Sequence, residues 1–424
     1  MDRRRLRDAA TLFVRAPPLA RSWSCILILT AGCPGVVLAQ THFTPYADAA
    51  YEYDTNFFAL ANNVPEPVGS GGPTRSDSFE KYKAGFEAAY DWSLQEFFAD
   101  AEGRRFEYSH FTTLDHDEYL LHGGLKWKLA SVLDGVLAYQ RERSQVSYLQ
   151  FNATQLSYTQ VYLQLQDTGT ASINIQVAPE WRLESQGKVS NLDSPRPGYP
   201  NLSLRENSID EGFKYGGFAN LSAGLVAEYL DGHFTSGEFI VTPKYHQTSV
   251  DFAADYTLSG LSVFHGAIGY TNRVQEQAGN VAGLTGLISY ERDLTGKTSV
   301  SVKVGRAIND YVTAAASEID TTAEIDAVWH ASKKIGVMAG YQYLHSSIAA
   351  TDIIAVIAPA RVDRLQTPSL SIKYQALDWL SLRPYLQYQK RQSSDSVYTF
   401  NGNTYGIELE ARLGQPVPLT LARP

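Results

Sequence analysis

The chain has 424 residues, a formal charge of −9, and only two cysteines and two methionines against 26 tyrosines. An acidic balance of this size argues against nucleic acid as a partner, because a phosphate backbone is held by a surplus of Lys and Arg. Both cysteines, Cys25 and Cys33, precede residue 40. The rest of the chain therefore excludes a disulfide scaffold, a cysteine nucleophile and thiolate metal sites.

The first element is an export signal. Arg3, Arg4, Arg5, Arg7, Arg15 and Arg21 form a positive start, Cys25 to Ala31 a short apolar core, and Val37-Leu38-Ala39 a small-residue end. That order predicts cleavage after Ala39, leaving Gln40 as the first mature residue. The apolar core is too short to span a bilayer. Thr30-Ala31-Gly32-Cys33 is a competing, partial lipoprotein signal, with Thr where Leu is expected. Residues 1–39 are thus read as signal peptide, 40–413 as one domain, and 414–424 as a C-terminal tail.

From residue 40 onward no stretch approaches the ~18 apolar residues of a transmembrane helix. Instead the sequence alternates with period two. Tyr119, Leu121, Gly123, Leu125, Trp127 and Leu129 fall on one face, and Glu118, His122, Gly124, Lys126 and Lys128 on the other. Residues 80–92, 299–304 and 404–413 repeat the design. Successive strand side chains point to opposite faces, so each segment is a strand with one apolar and one polar side. Three features favour a membrane barrel over a soluble sandwich: Ala and Gly on the apolar face, aromatics at segment ends (Tyr90, Trp92, Trp127, Tyr256, Tyr290, Trp329, Trp379), and connections alternating between short and long. The long ones are read at 58–76, 192–203, 232–242, 350–362 and 393–403.

Strands are predicted at 43–57, 75–91, 95–110, 115–129, 133–148, 157–178, 181–193, 204–218, 220–232, 243–257, 260–275, 280–293, 297–312, 316–331, 334–350, 360–377, 379–393 and 400–413. The fold class is all-β: a transmembrane, antiparallel, up-and-down β-barrel of about 18 strands, with 16 as the alternative. Only a closed barrel lets strands cross a membrane with every backbone group satisfied. The expected location is the bacterial outer membrane, with its lipid as a partner.

No catalytic constellation, phosphate loop or metal-ligand spacing stands out, and no cofactor is expected. His110 and His116 with Asp115 and Asp117 read as a solvated loop. The informative surface is the polar face, which in a wide barrel lines a water-filled lumen. Alternation assigns to it Lys81, Lys83, Glu87, Asp100, Glu102, Arg104, Glu118, Lys126, Lys128, Arg182, Glu184, Asp251, Lys303, Glu324, Asp326, Lys373, Arg383, Arg391, Glu408 and Arg412. Mixed signs interleaved with Tyr and Gln suit a hydrated, hydroxyl-rich polymer better than a small ion, whose pore segregates charge. The plainer reading is that these groups merely wet the lumen and satisfy one another.

Pro45 to Phe57 with its Tyr51-Glu52-Tyr53-Asp54-Thr55-Asn56 ending, Leu284 to Glu291 followed by Thr295-Gly296-Lys297-Thr298, and Trp379-Leu380-Ser381-Leu382 with Lys390 to Ser394 together give the chain a family resemblance. It resembles the outer-membrane β-barrel of exopolysaccharide biosynthesis operons, EpsL, which is associated with exosortase systems. The resemblance implies a conduit or accessory for polysaccharide, with exopolysaccharide and export-machinery proteins as partners and no enzymatic activity. The alternatives are a general porin or a structural anchor. One departure is the end of the chain: outer-membrane barrels usually finish on an aromatic residue, whereas here Leu413 is followed by eleven further residues.

Overall fold

The structure is a computed structural model describing residues 41–151, 158–196, 199–235, 244–275, 279–311, 316–349, 351–353, 356–358 and 360–413. The predicted signal segment with its Ala39/Gln40 junction and the tail 414–424 lie outside the described residues.

Eighteen strands form one sheet that closes on itself. In chain order they are β1 (Thr41–Asp54), β2 (Asp77–Trp92), β3 (Gln95–Tyr108), β4 (His116–Leu129), β5 (Leu133–Gln145), β6 (Leu163–Ala178), β7 (Trp181–Arg196), β8 (Tyr199–Phe218), β9 (Leu221–Thr235), β10 (Lys244–Ser259), β11 (Ser262–Gln275), β12 (Gly279–Thr295), β13 (Thr298–Tyr311), β14 (Ala316–His330), β15 (Ile335–Ile348), β16 (Arg361–Leu377), β17 (Leu380–Ser393) and β18 (Phe400–Arg412). Each pairs antiparallel with its sequence neighbours, and β1 pairs with β18 from Tyr46↔Arg412 to Asp54↔Thr404. The sixteen-strand alternative is set aside. Asp167-Thr168-Gly169, a potential turn that would split the predicted 157–178 strand and make the count odd, sits inside the continuous strand β6.

Alternation and register fix the facing. Lys83 opposes Asp48 on one side and Arg104 on the other, and Arg104 opposes Glu118. The opposite faces of these strands carry Phe43, Tyr51, Tyr82, Phe97 and Leu121, all exposed. An apolar exterior of this extent belongs against lipid. Trp92, Trp181, Trp329 and Trp379 stand exposed beside the short turns, where an aromatic girdle meets the interface. The turns at 93–94, 179–180, 260–261, 296–297 and 378–379 are only two residues long, so this end faces the periplasm. An even strand count brings the start of β1 and the end of β18 to the same side. The fold is that of a bacterial outer-membrane barrel.

Two expectations of loop are corrected. Residues 192–203 belong largely to β7 and β8, which stay paired through Ser194↔Leu202 and Asp193↔Ser203, and β9 runs on to Thr235. Their Ser, Asn and Pro content reads as loop, but the inner-face Leu192, Leu202, Leu204, Phe234 and Tyr245 pack as an apolar cluster that holds these extensions together. In the segment around His110 and His116, Asp115 and Asp117 are exposed as expected of a solvated loop, but His116 is not. His116 is buried with its ring stacked on Phe106 at 4.7 Å, and Asp115 accepts the Tyr108 backbone N–H at 2.8 Å.

Candidate functional site: the barrel lumen

By register, the twenty charged residues read from the polar face lie on the side of the sheet opposite the exposed apolar side chains. The structure joins most of them into ion-pair chains across strands. On β1 to β5, Lys83 Nζ lies 2.5 Å from Asp48 and 3.6 Å from Glu102. Glu102 takes Arg104 Nε at 2.5 Å and the Tyr46 hydroxyl at 2.8 Å. Arg104 continues to Glu142 at 3.0 Å and Glu118 at 3.5 Å. Lys81 pairs with Glu52. The chain crosses the closure of the barrel through Arg412 to Glu87, Arg383 to Glu408 at 2.6 Å, and Lys373 to Glu410 at 2.8 Å. Elsewhere Lys126 meets Glu96 at 2.5 Å, and Asp100 meets His122 at 3.6 Å. Arg182 meets Asp134 at 3.0 Å and Glu184 at 3.4 Å, and Glu184 meets Lys214 at 2.9 Å. Lys303 faces Glu324 at 3.8 Å, Asp251 accepts from Ser249 at 3.2 Å, Asp326 is buried on the inner face of β14, and Lys128 is exposed near the periplasmic turn. Alternating signs at these spacings neutralise the wall locally, so no single-sign ring forms along these chains.

Sequence reasoning placed Gly124 on the polar face but missed what the inward glycines do. The ring of Tyr46 lies over Gly85, that of Phe98 over Gly124, and that of Tyr385 over Gly406. A Cβ at these glycines would come within 2.8, 2.8 and 2.2 Å of the ring carbons. Each ring also has a cation beside it: Lys83 at 5.5 Å and Arg412 at 5.3 Å from Tyr46, Lys126 at 5.2 Å from Phe98, and Arg383 at 5.1 Å from Tyr385. Glycine lets the aromatic side chain fold flat along the wall instead of crossing the lumen. The signal was available in principle: a glycine on the polar face directly opposite an aromatic of the neighbouring strand.

The lumen is asymmetric along its axis. Toward the periplasm the inward side chains of Glu87, Lys126, Asp134 and Arg182 are 52, 41, 42 and 38% exposed, while Thr44, Ser371, Lys373 and Ser381 at the same end are buried, so the wet part of the wall is the arc around these four. Toward the outside, Glu52, Phe106, Glu118, Phe234, Arg273 and Phe400 on the same inner face are buried. Outer connections supply the cover. Phe58, Leu60, Phe111, Leu114, Tyr148 and Phe151 leave three different loops and join Phe79, Phe106 and Tyr108 of the wall in one apolar core. Its rings meet edge to face, for example Phe58 with Phe111 at 4.8 Å and with Tyr148 at 4.9 Å. Burial raises the phenol pKa of Tyr148. From across the barrel, Arg391 of β17 donates to the carbonyls of Tyr398, at 2.6 Å, and of Leu149, tying the third of these loops to the far wall. Among the described residues no group of three or more His, Asp or Glu is arranged to hold a metal.

No protein-family model matches the chain, and no curated protein matches it by sequence. Solved structures do match in fold. The FrpB iron transporter from Neisseria meningitidis superposes with a TM-score of 0.53 in its F5-1 apoprotein form, at 9% identity over 83% of this chain and 62% of that one. Its F3-3 variant gives 0.51, at 8% identity over 82% of this chain and 62% of that one. The chain thus spans about three-fifths of the length of these neighbours. At such identities the likeness is one of architecture, an outer-membrane barrel, and a shared barrel does not carry a shared cargo.

Proposed function

We propose that this protein is an outer-membrane conduit, or the barrel of an accessory, for exopolysaccharide leaving the periplasm, and that it acts without catalysis. The observation that carries this reading is the direction of the lumen. A wet vestibule of mixed charge opens toward the short-turn end, while the outer mouth is filled by loops. A vestibule reached from the periplasm suits a cargo that starts on that side. A polysaccharide cannot cross the hydrocarbon layer itself, since each hydroxyl stripped of its hydrogen bonds costs on the order of 2–7 kcal/mol. It needs a path where water, carboxylates, cations and aromatic edges replace one another as partners. The resemblance to EpsL barrels supports the same reading.

The filled mouth favours a second reading, an anchor whose packed loops hold other envelope proteins. A clean deletion separates the two. The conduit reading expects polysaccharide to be made but retained in the periplasm. A partial fall in export would make the barrel an accessory, and unchanged secretion would overturn both export versions. The iron-transporter neighbours raise a third cargo class, which the same strain tests through growth under iron limitation.

A further inference from the structure

The barrel wall is parted at one place. β12 and β13 pair from Thr295↔Thr298 up to Gly286↔Arg306. Above that level β12 continues to pair with β11, up to Gly279↔Gln275, and β13 continues to pair with β14, up to Tyr311↔Ala316. Among the described residues no ladder pair joins β12 to β13 there. The strands part at Gly286, whose φ of +148° lies where side-chain-bearing residues are strained, and where a Cβ would stand 2.3 Å from the Ala267 carbonyl oxygen.

The upper part of β13 has gone inside. By alternation, Ile308 and Asp310 share the outer face of β13 with Val302 and Val304, and Ser317 lies on the outer face of β14. Their partners nevertheless stand on the inner face of β10 and β11. Arg273 Nη1 donates to Asp310 Oδ1 at 2.7 Å, and the Tyr245 hydroxyl lies between Asp310 Oδ2 at 2.9 Å and Glu206 Oε1 at 2.7 Å. The Ser317 hydroxyl donates to Gln275 Oε1 at 2.9 Å. Ile308 is 7% exposed although its parity assigns it to lipid. Outer face against inner face means that the wall overlaps itself, like a scroll, in its outward half. The Arg273 guanidinium also donates to the carbonyls of Asn309 at 3.3 Å and Ile308 at 3.5 Å. Consecutive carbonyls in a strand point to opposite edges, so one of these acceptors faces the side that β12 has left. An open strand edge is a template for pairing, and here a side chain satisfies part of it.

We propose that upper β13 is a latch with two positions: tucked, as in the structure, and zipped, with the β12–β13 ladder continued upward. Continuing the register sets Ala307 opposite Thr285 and Ile308 opposite Leu284. Leu284 is already 65% exposed on the lipid-facing side, so the zipped form places two apolar side chains together against lipid. It also withdraws the β13–β14 edge from the outward half of the lumen. The Arg273–Asp310 pair holds the tucked form. Removing the Asp310 charge leaves the buried Arg273 on neutral acceptors, Gln247 Oε1 at 3.0 Å and the Asn309 and Ile308 carbonyls, which favours the position where the guanidinium reaches water.

The chain after residue 40 contains no cysteine, so disulfide trapping in the folded, full-length barrel reads the two positions directly. Gln275→Cys with Ser317→Cys reports the tucked form, and Leu284→Cys with Ile308→Cys the zipped form. In the otherwise native barrel the first pair is expected to form rapidly and the second about tenfold more slowly. Asp310→Asn is expected to reverse that order, with heat-modifiable gel migration verifying that the barrel is folded. Oxidised tucked barrels should show lower single-channel conductance than oxidised zipped ones. Failure of the first pair to form in a folded barrel would show that the scroll does not exist. Failure of the second, in both native and Asp310→Asn barrels, would make the overlap a fixed part of the wall. Either result overturns the latch. The trapping reads the strand position whatever the lumen carries, so it succeeds or fails separately from the export reading.

Discussion

Gly406 and Tyr385 show how single residues shape the lumen. A methyl at Gly406 would reach within 2.2 Å of the Tyr385 ring, which is itself buried, so Gly406→Ala must displace the ring. Overpacking of this kind costs about 1–3 kcal/mol. The melting temperature of the purified barrel should fall accordingly, and adding Tyr385→Ala should restore part of the loss, because residues in contact are not additive. Facing makes a second test at neighbouring positions. Val302 lies on the lipid side between Tyr290 and Ile325, while Lys303 faces inward between Ser289 and Glu324. Val302→Arg should cost about 2–4 kcal/mol if it sits near the midplane. Lys303→Ala loses only a loose, partly exposed ion pair, for which about 0–1 kcal/mol is typical. Equal folding yields for the two variants in lipid vesicles would mean that the facing is wrong.

At the scale of elements, the strands and the outer loops are stabilised by different things. The ladders close a sheet around the molecule, whereas the loops are held by their own aromatic core. Phe58 is 1% exposed within that core, and Phe58→Ala should cost about 3–5 kcal/mol locally. Because the ladders do not depend on it, the melting of the barrel should hardly move while protease cleavage of the first outer loop accelerates several-fold. An unchanged cleavage pattern would show that the loops are pinned by something else. Arg391 offers an independent handle. Arg391→Ala removes the tie to the Leu149 carbonyl and should loosen the third loop without disturbing the first.

For the whole molecule, the wet vestibule and the filled mouth together predict a conductance. The intact barrel in a planar bilayer should pass little current, and Phe58→Ala with Arg391→Ala should raise it. A large, steady conductance from the intact barrel would instead describe an open general porin. Such a result would leave the fold untouched, because fold and cargo are separate properties.

The amino-acid sequence alone determined the all-β class, the closed barrel and the alternation of faces along each strand, while eighteen strands against sixteen was left for the structure to decide. These follow from a period-two pattern and from turn chemistry, which are local: each residue reports its own facing, and closure follows because strands cannot otherwise cross lipid. The tertiary structure alone decided what the inward residues touch. The Arg104–Glu142 contact spans 38 positions and the Arg391–Leu149 contact 242, and nothing local encodes either. The same holds for His116, which reads as solvated between exposed Asp115 and Asp117 until the wall aromatics Phe106 and Tyr108 stack on it. It holds most of all for Ile308 and Asp310, where the alternation is kept but the wall has slid over itself. A period of two tells which face a side chain is on, and only the packing of distant strands tells what that face is pressed against.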